Sequence, residues 1–405
     1  MTRHAKLDQG DSMSLSTEAA VRASDGAAID AAIVQQALDY ATREGGEIGV
    51  QVAAYLDGKL VVDAWSGVAD PATGRMVDGE TLFNVFSVTK AVAATALHIL
   101  ADRGHIEYGA PVAHYWPEYG VHGKQRTTVR DVLTHRACVP QMPDGMTPER
   151  MCDWQWMTDA IAGLTPLAEP GTKTLYLSMT FGWIVGELVR RTDPKGRSLG
   201  RFVLEEIAQP LGITDLWIGI PDAVEPRIAK LTDAMVPVPA EYLPPLFVAS
   251  MPEAVALNPT VFERPDVRRA EVAGVGGIFN ARSEARFWAM LAGGGEIDGV
   301  RLLSKELVAT LNTPRERSEE PDPVMFGFPI PISIGGFWFG GTYPPVTAVQ
   351  SPRALCHPGQ GNSIGWADPD TGLAVAICHN KLFNPTTGQE DPLLPIAQAI
   401  REALQ

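Results

Sequence analysis

Apolar residues recur at helical spacing over residues 30–42, where Ile33, Val34, Ala37 and Leu38 share a face and Gly45-Gly46 closes the pattern. Residues 48–56 and 59–65 then read as two strands, with Asp57-Gly58 between them as a hairpin turn. A long helical section follows. Its first pattern runs over residues 91–101 and stops at Gly104. Thr128 with Asp131 three residues later opens a short helix over 129–135 as a capping box. Residues 151–163, 181–191 and 202–209 are further predicted helices, the last closed by Pro210 and Gly212. Residues 237–265 are proline-rich with interspersed Tyr242, Leu243, Phe247 and Val248. They read either as a wall or lid over a pocket or as an ordered crossing loop.

Beyond this stretch the pattern returns to strands. Residues 274–278 read as a short buried strand, Asn280 as the cap of a helix over 281–291, and Ser304 as the cap of a helix over 305–311. Strands are expected at 332–339, 363–367 and 373–379, and a closing helix at 395–404. Strands at both ends with helices between predict an α/β fold of the α+β type. Its antiparallel sheet is assembled from the N- and C-terminal parts, flanked by helices, and carries an inserted, mostly helical lobe. The expected division is a loose tail at 1–24, a sheet part from 25–86 and 272–405, and a helical part at 87–271.

Composition narrows the function classes. The chain has 405 residues, 45% hydrophobic and 20% charged, as a globular enzyme with two or three lobes would. The formal charge of −15 argues against nucleic acid and anionic membrane as partners. Residues 1–23 carry no apolar core of signal-peptide length, and no stretch reaches membrane-span length, so a cytoplasmic location is expected. The four cysteines, Cys138, Cys152, Cys356 and Cys378, show no metal-ligand spacing and read as reduced thiols. No metal or cofactor is expected.

Ser87 and Lys90 stand where an apolar stretch gives way to the helix over 91–101. Three residues apart on a helix, they share a face at its N-terminus, where unpaired N–H groups favour developing negative charge. Such a serine can lose its proton to a neighbour and attack a carbonyl. The plain alternative is a helix-capping serine with a solvated lysine. Two features favour chemistry. No other serine has lysine three residues on, and Lys90 lies among Phe86, Val88, Val92 and Ala93, where an idle lysine is costly to bury. Tyr176, in Tyr176-Leu177-Ser178, is a candidate base. His357-Pro358-Gly359-Gln360-Gly361 follows on a predicted strand edge.

With Ser87…Lys90, Tyr176…Ser178 and His357…Gly359 in this order, the chain resembles the serine β-lactamase and penicillin-recognising superfamily, specifically class C β-lactamases and family VIII carboxylesterases. Leu133-Thr134-His135-Arg136, Gln209-Pro210-Leu211-Gly212-Ile213 and Gly274-Val275-Gly276-Gly277-Ile278 extend the resemblance over residues 48 to 382. It implies an acyl-enzyme on Ser87 with Lys90 and Tyr176 as the base system. It also implies an oxyanion hole from the backbone N–H groups of Ser87 and Gln360, and substrate binding by Ser178, His357 and Gly359. Glycine at 359 is expected to let substrate approach the strand. Class C enzymes carry lysine where His357 stands and asparagine where Ser178 stands, and a histidine neutral at pH 7 holds a β-lactam carboxylate less well. The expected activity is therefore a carboxylesterase on small-molecule esters. The alternatives are an acyltransferase through the same intermediate, or a β-lactamase or D-amino-acid peptidase. Ser178 is open to two roles, a hydrogen bond to substrate or a cap on the next turn. Oligomeric state is not legible.

Other features are weaker. Gly361-Asn362-Ser363-Ile364-Gly365 matches the G-x-S-x-G nucleophile pattern, but the sequence continues into a turn and strand rather than a helix. Trp154, Trp156, Phe337, Trp338, Phe339 and Tyr343 read as core residues or as the lining of an acyl pocket. His98 and His105 have no carboxylate at zinc spacing.

Overall fold

The computed structural model describes residues 31–341, 346–383 and 391–404; the expected tail at 1–24 and Tyr343 lie outside them. The main sheet has seven strands. Their spatial order is Trp338–Phe339, Leu355–Pro358, Ile364–Asp368, Leu373–His379, Gly49–Leu56, Lys59–Asp70 and Arg75–Met76, each antiparallel to its neighbours. The two termini meet at the centre, where Val50 faces His379 and Leu56 faces Leu373. Asp57 and Gly58 both take positive φ, +50° and +77°, as the tight turn between the first two strands requires.

Helices cover both faces of this sheet. Ala31–Arg43 and Leu394–Ala403 pack together on one face, burying Val34, Leu38, Ile396 and Ile400. Ala281–Ala292 lies against the other, capped by Asn280, whose side chain accepts from Ser283 N–H. A Cβ at Gly365 would strike the Trp288 and Glu284 side chains, so glycine there lets this helix sit directly on the sheet. Each large aliphatic side chain buried in these interfaces contributes about 1.5–3 kcal/mol.

A second sheet joins the helical lobe to the rest. Phe83–Phe86 and Leu216–Ile218 flank Gly277–Phe279, so one strand from the helical section pairs with a segment beyond it. The helix Thr89–Asp102 leaves this sheet with twelve of its fourteen residues buried, Lys90 among them. It packs against Thr180–Thr192.

Four expected elements differ. The strand predicted over 274–278 is Gly277–Phe279, with 274–275 in a turn and 276 in an isolated bridge. The helix predicted over 151–163 is two, Pro148–Cys152 and Trp154–Ala162, because the Asp153 carboxylate accepts Trp156 N–H and starts a new helix. The helix at 202–209 begins earlier, at Leu199 capped by Ser198, and passes into a wider π turn over Leu204–Ala208. The strand predicted over 332–339 is mostly a turn. Ser333 N donates to Phe337 O and Ile332 bridges Trp338, leaving only Trp338–Phe339 in the main sheet. Among the described residues, no helix is long and apolar enough to cross a membrane.

Candidate active site

Phe86 precedes the candidate nucleophile with φ +47°, a left-handed conformation that costs an aromatic residue about 1–3 kcal/mol. It is held there by its N–H donating to Asn84 Oδ1 and by an edge-on contact with Phe262 at 5.3 Å. Thr89 Oγ1 donates to Phe86 O and accepts Gly277 N–H at 2.8 Å, fixing the turn to the second sheet. Ser87 is thus placed half-buried at the mouth of the buried helix.

Lys90 is fully buried. Its Nζ lies 2.9 Å from Ser87 Oγ, 2.8 Å from Ser178 O and 3.0 Å from Gly274 O. No ion pair to Lys90 exists among the described residues, and burial drives its pKa well below the usual lysine value. The same nitrogen lies 5.3 Å from the ring centroid of Tyr176. Ser87, Lys90 and Tyr176, separated by up to 89 positions, are therefore brought together.

Tyr176 lies outside any helix or strand. Its N–H donates to Asp322 Oδ2 at 2.8 Å, and its ring stacks on His135 at 4.4 Å. His135, itself at φ +58°, accepts Leu177 N–H on Nδ1 at 2.9 Å, and its carbonyl accepts Leu175 N–H at 3.0 Å. The Nδ1 contact leaves the imidazole proton on Nε2. Burial, then the nearby Lys90, keeps this imidazole neutral by depressing its pKa. Asp322 is fully buried, accepts Val324 N–H as well, and has its carboxyl pushed up to about 6 by burial. Sequence reasoning named His135 only as part of a motif and missed Asp322 altogether. Asp322 lies between two prolines in a stretch with no periodicity, so only its contact with Tyr176 reveals it.

The third segment differs from expectation in several ways. The ladder to Trp338–Phe339 stops at Cys356, so His357 is paired only with Gly365, as a strand edge requires, but its side chain is fully buried. Its Nδ1–H donates to Pro358 O at 2.8 Å, while Nε2 has no partner among the described residues. Burial, reinforced by Lys90, pushes its pKa down to about 3, so the ring is neutral. A Cβ at Gly359 would meet Val85 O and Ser363 O. The glycine thus allows the protein's own main chains to converge, bringing this strand end against the segment that precedes Ser87. Gly361 and Asn362 follow at φ +83° and +85°, a tight reversal that presents Gln360 at the strand end.

Ser178 does not cap the next helix, whose N-cap is Met179 without a side-chain bond. Its hydroxyl instead pairs with Ser250 Oγ of the proline-rich segment at 3.0 Å. Ser363 is buried and accepts His379 N–H just before a strand, which removes it as a nucleophile elbow. Of the aromatics, Trp338 stands beside the site, edge-on to Tyr176 at 5.9 Å. Phe337 and Phe339 are buried in the core, while Trp154, which donates to Glu187 and fills the space over Gly186, and Trp156 pack partly buried against it. His98 is held between Tyr108 Oη and Gly335 O. Among the described residues, no group of three or more His, Cys, Asp or Glu could hold a metal ion.

The beta-lactamase family model matches residues 31–399. The chain belongs to the beta-lactamase family. This beta-lactamase-family chain is 37% identical over 352 residues to the esterase/beta-lactamase LipL of Mycobacterium tuberculosis, covering 83% of this chain and 78% of that protein. Among solved structures, a family VIII carboxylesterase superposes with a TM-score of 0.83 at 30% identity, over 94% of this chain and 99% of that one. A penicillin-binding protein homologue from Caulobacter crescentus gives 0.80 at 31% identity with the same coverage. The β-lactamase/transpeptidase-like architecture expected from the sequence is thus the one observed.

Proposed function

We propose that this protein is a serine carboxylesterase that cleaves neutral small-molecule esters through a Ser87 acyl-enzyme. The observation that carries the reading is the 2.9 Å contact of the buried Lys90 Nζ with Ser87 Oγ, beside the Tyr176 ring. A neutral amine with a phenol, or an ammonium with a phenolate, carries the same proton count. Either form can take the Ser87 proton, and burial favours the neutral pair. Ser87 Oγ bonds to the ester carbon as its proton passes to this Lys90–Tyr176 pair. The carbonyl oxygen becomes an oxyanion facing the Ser87 and Gln360 N–H groups. The bond to the leaving alkoxide then breaks, and the pair returns the proton to it. Water, deprotonated by the same pair, releases the acid.

His357 supports ester over lactam. A neutral imidazole with Nδ1–H committed to Pro358 and only a lone pair on Nε2 accepts a hydrogen bond; it does not hold a carboxylate. The esterase/beta-lactamase relative and the family VIII carboxylesterase structure support the same choice. The test compares nitrophenyl acetate with a chromogenic cephalosporin, on the natural chain and on Ser87→Ala. Mass spectrometry checks the acyl adduct. Ester turnover well above cephalosporin turnover, lost in Ser87→Ala together with the adduct, is expected; the opposite preference would replace this reading with a β-lactamase.

A further inference from the structure

The proline-rich segment is fastened at two places to residues of the candidate site. At one end Met235 Sδ accepts from Gln360 Nε2 at 3.2 Å, beside the proposed oxyanion donor. At the other, Ser250 Oγ pairs with Ser178 Oγ at 3.0 Å, and the adjoining Ala249 O accepts Met142 N–H at 2.8 Å. Between these anchors Val238, Tyr242 and Val248 are exposed, Tyr242 at 72%. Pro237, Pro239, Pro244 and Pro245 fix four of the intervening φ angles, which makes this strap a stiff rail. Glu241 is the only charged residue between the anchors.

A second arm faces the strap. Asp322, bonded to Tyr176 N–H, accepts Met325 and Gly327 N–H on its own carbonyl, forming a tight turn. At the tip of that turn Phe326 takes φ +56° and is 47% exposed. Its ring meets Phe247 of the strap at 5.1 Å. Two exposed apolar arms therefore meet, one tied to Ser178, whose carbonyl accepts from Lys90 Nζ, and the other to Tyr176. Single exposed apolar residues need no explanation, but this arrangement at a reactive serine does.

We propose that the strap and the Phe326 turn form an apolar rail that binds the hydrocarbon chain of a neutral ester, making this protein selective for longer-chain over acetyl-sized substrates. This rests on the ester-hydrolase reading. No cation lies on the strap between its anchors, so an acyl chain ending in a carboxylate gains nothing there.

The test measures kcat/KM for nitrophenyl acetate, hexanoate and octanoate, and for methyl and octyl acetate, on the natural chain and on Tyr242→Ser, Val248→Ser and Phe326→Ser. Tyr40→Ser, at an exposed aromatic on the first helix, is the control. Each methylene that reaches the rail adds roughly fourfold, so hexanoate should exceed acetate by about tenfold or more. The serine variants should each lower the long-to-short ratio by about three- to tenfold, and Tyr40→Ser should not. The acyl and alkyl series show which half of the ester lies along the rail. A ratio near one in the natural chain, or one unchanged in all three variants, overturns the proposal. So does a change in self-association without a change in ratio. Absence of any Ser87-dependent ester turnover overturns the underlying reading and this one with it.

Discussion

The two halves of the candidate site are built in different ways. Ser87 and Lys90 stand three residues apart at the start of a helix whose neighbours are nearly all buried, so their relation is set by helical geometry. Tyr176 sits in an irregular segment whose position is imposed from outside. Asp322, 146 residues away, holds its N–H, and His135 holds the main chain on both sides of it. The serine–lysine half is therefore locally determined, while the tyrosine half depends on the loops that clamp it. Changes remote in sequence should reach the tyrosine without disturbing the serine–lysine contact.

The contrast can be broken first at the reacting groups. Lys90→Met should lower nitrophenyl acetate turnover by about 10³-fold or more, and Tyr176→Phe by roughly 10²–10⁴-fold. Both should be read from kcat with folding checked by circular dichroism. Near-normal turnover of Tyr176→Phe at neutral pH would remove the tyrosine from the proposed base system.

A smaller effect is expected at the clamp. Asp322→Ala leaves the Tyr176 N–H without its acceptor and lets the ring shift, which should lower kcat by about tenfold or more with KM little changed. Asp322→Asn retains an acceptor oxygen and should recover part of that loss. If the tyrosine half were as self-supporting as the serine half, Asp322→Ala would change melting temperature alone.

The helix Ala281–Ala292 supplies the matching probe. Glu284 is fully buried against Trp288 Nε1–H and Cys378 Sγ–H, with no ion pair among the described residues, and burial raises its carboxyl to about 7. A folded pKa above the unfolded value of about 4.3 means the folded state holds the proton more tightly. The stability this contributes is complete below the unfolded pKa and lost as pH rises through 7, on the order of 3 kcal/mol. Glu284→Gln should therefore melt higher than the natural chain at pH 8, converge with it near pH 4.5, and keep its esterase rate. A parallel pH dependence in both proteins would show that Glu284 is ionised throughout.

The smallest expected effect is at the strap anchor. Ser178→Ala removes the hydroxyl pair with Ser250 and should cost about 1 kcal/mol in denaturant unfolding. A larger loss of kcat than of stability would give the Ser178 hydroxyl a role toward substrate.

Particular residues show why the sequence was informative unevenly. The hairpin of the first two strands was legible because Asp57-Gly58 marks the tight turn between them, whereas the pairing of Gly49–Leu56 with Leu373–His379 leaves no such local mark. The strand expected at 332–339 was not legible either, because apolar residues in a reversed turn and in a strand look alike without their partners. Gly359 was recognised as necessary, but the atoms that require it belong to Val85 and Ser363.

The sequence by itself determined the candidate nucleophile, its neighbouring lysine and the first hairpin of the sheet, since each follows from spacing along a regular element or from a tight turn. Only the tertiary structure decided how Tyr176 is held, why His357 is neutral and where the proline-rich segment runs. Those properties arise from burial and from hydrogen bonds between segments far apart in the chain, and neither leaves a periodic trace in the residues that make them.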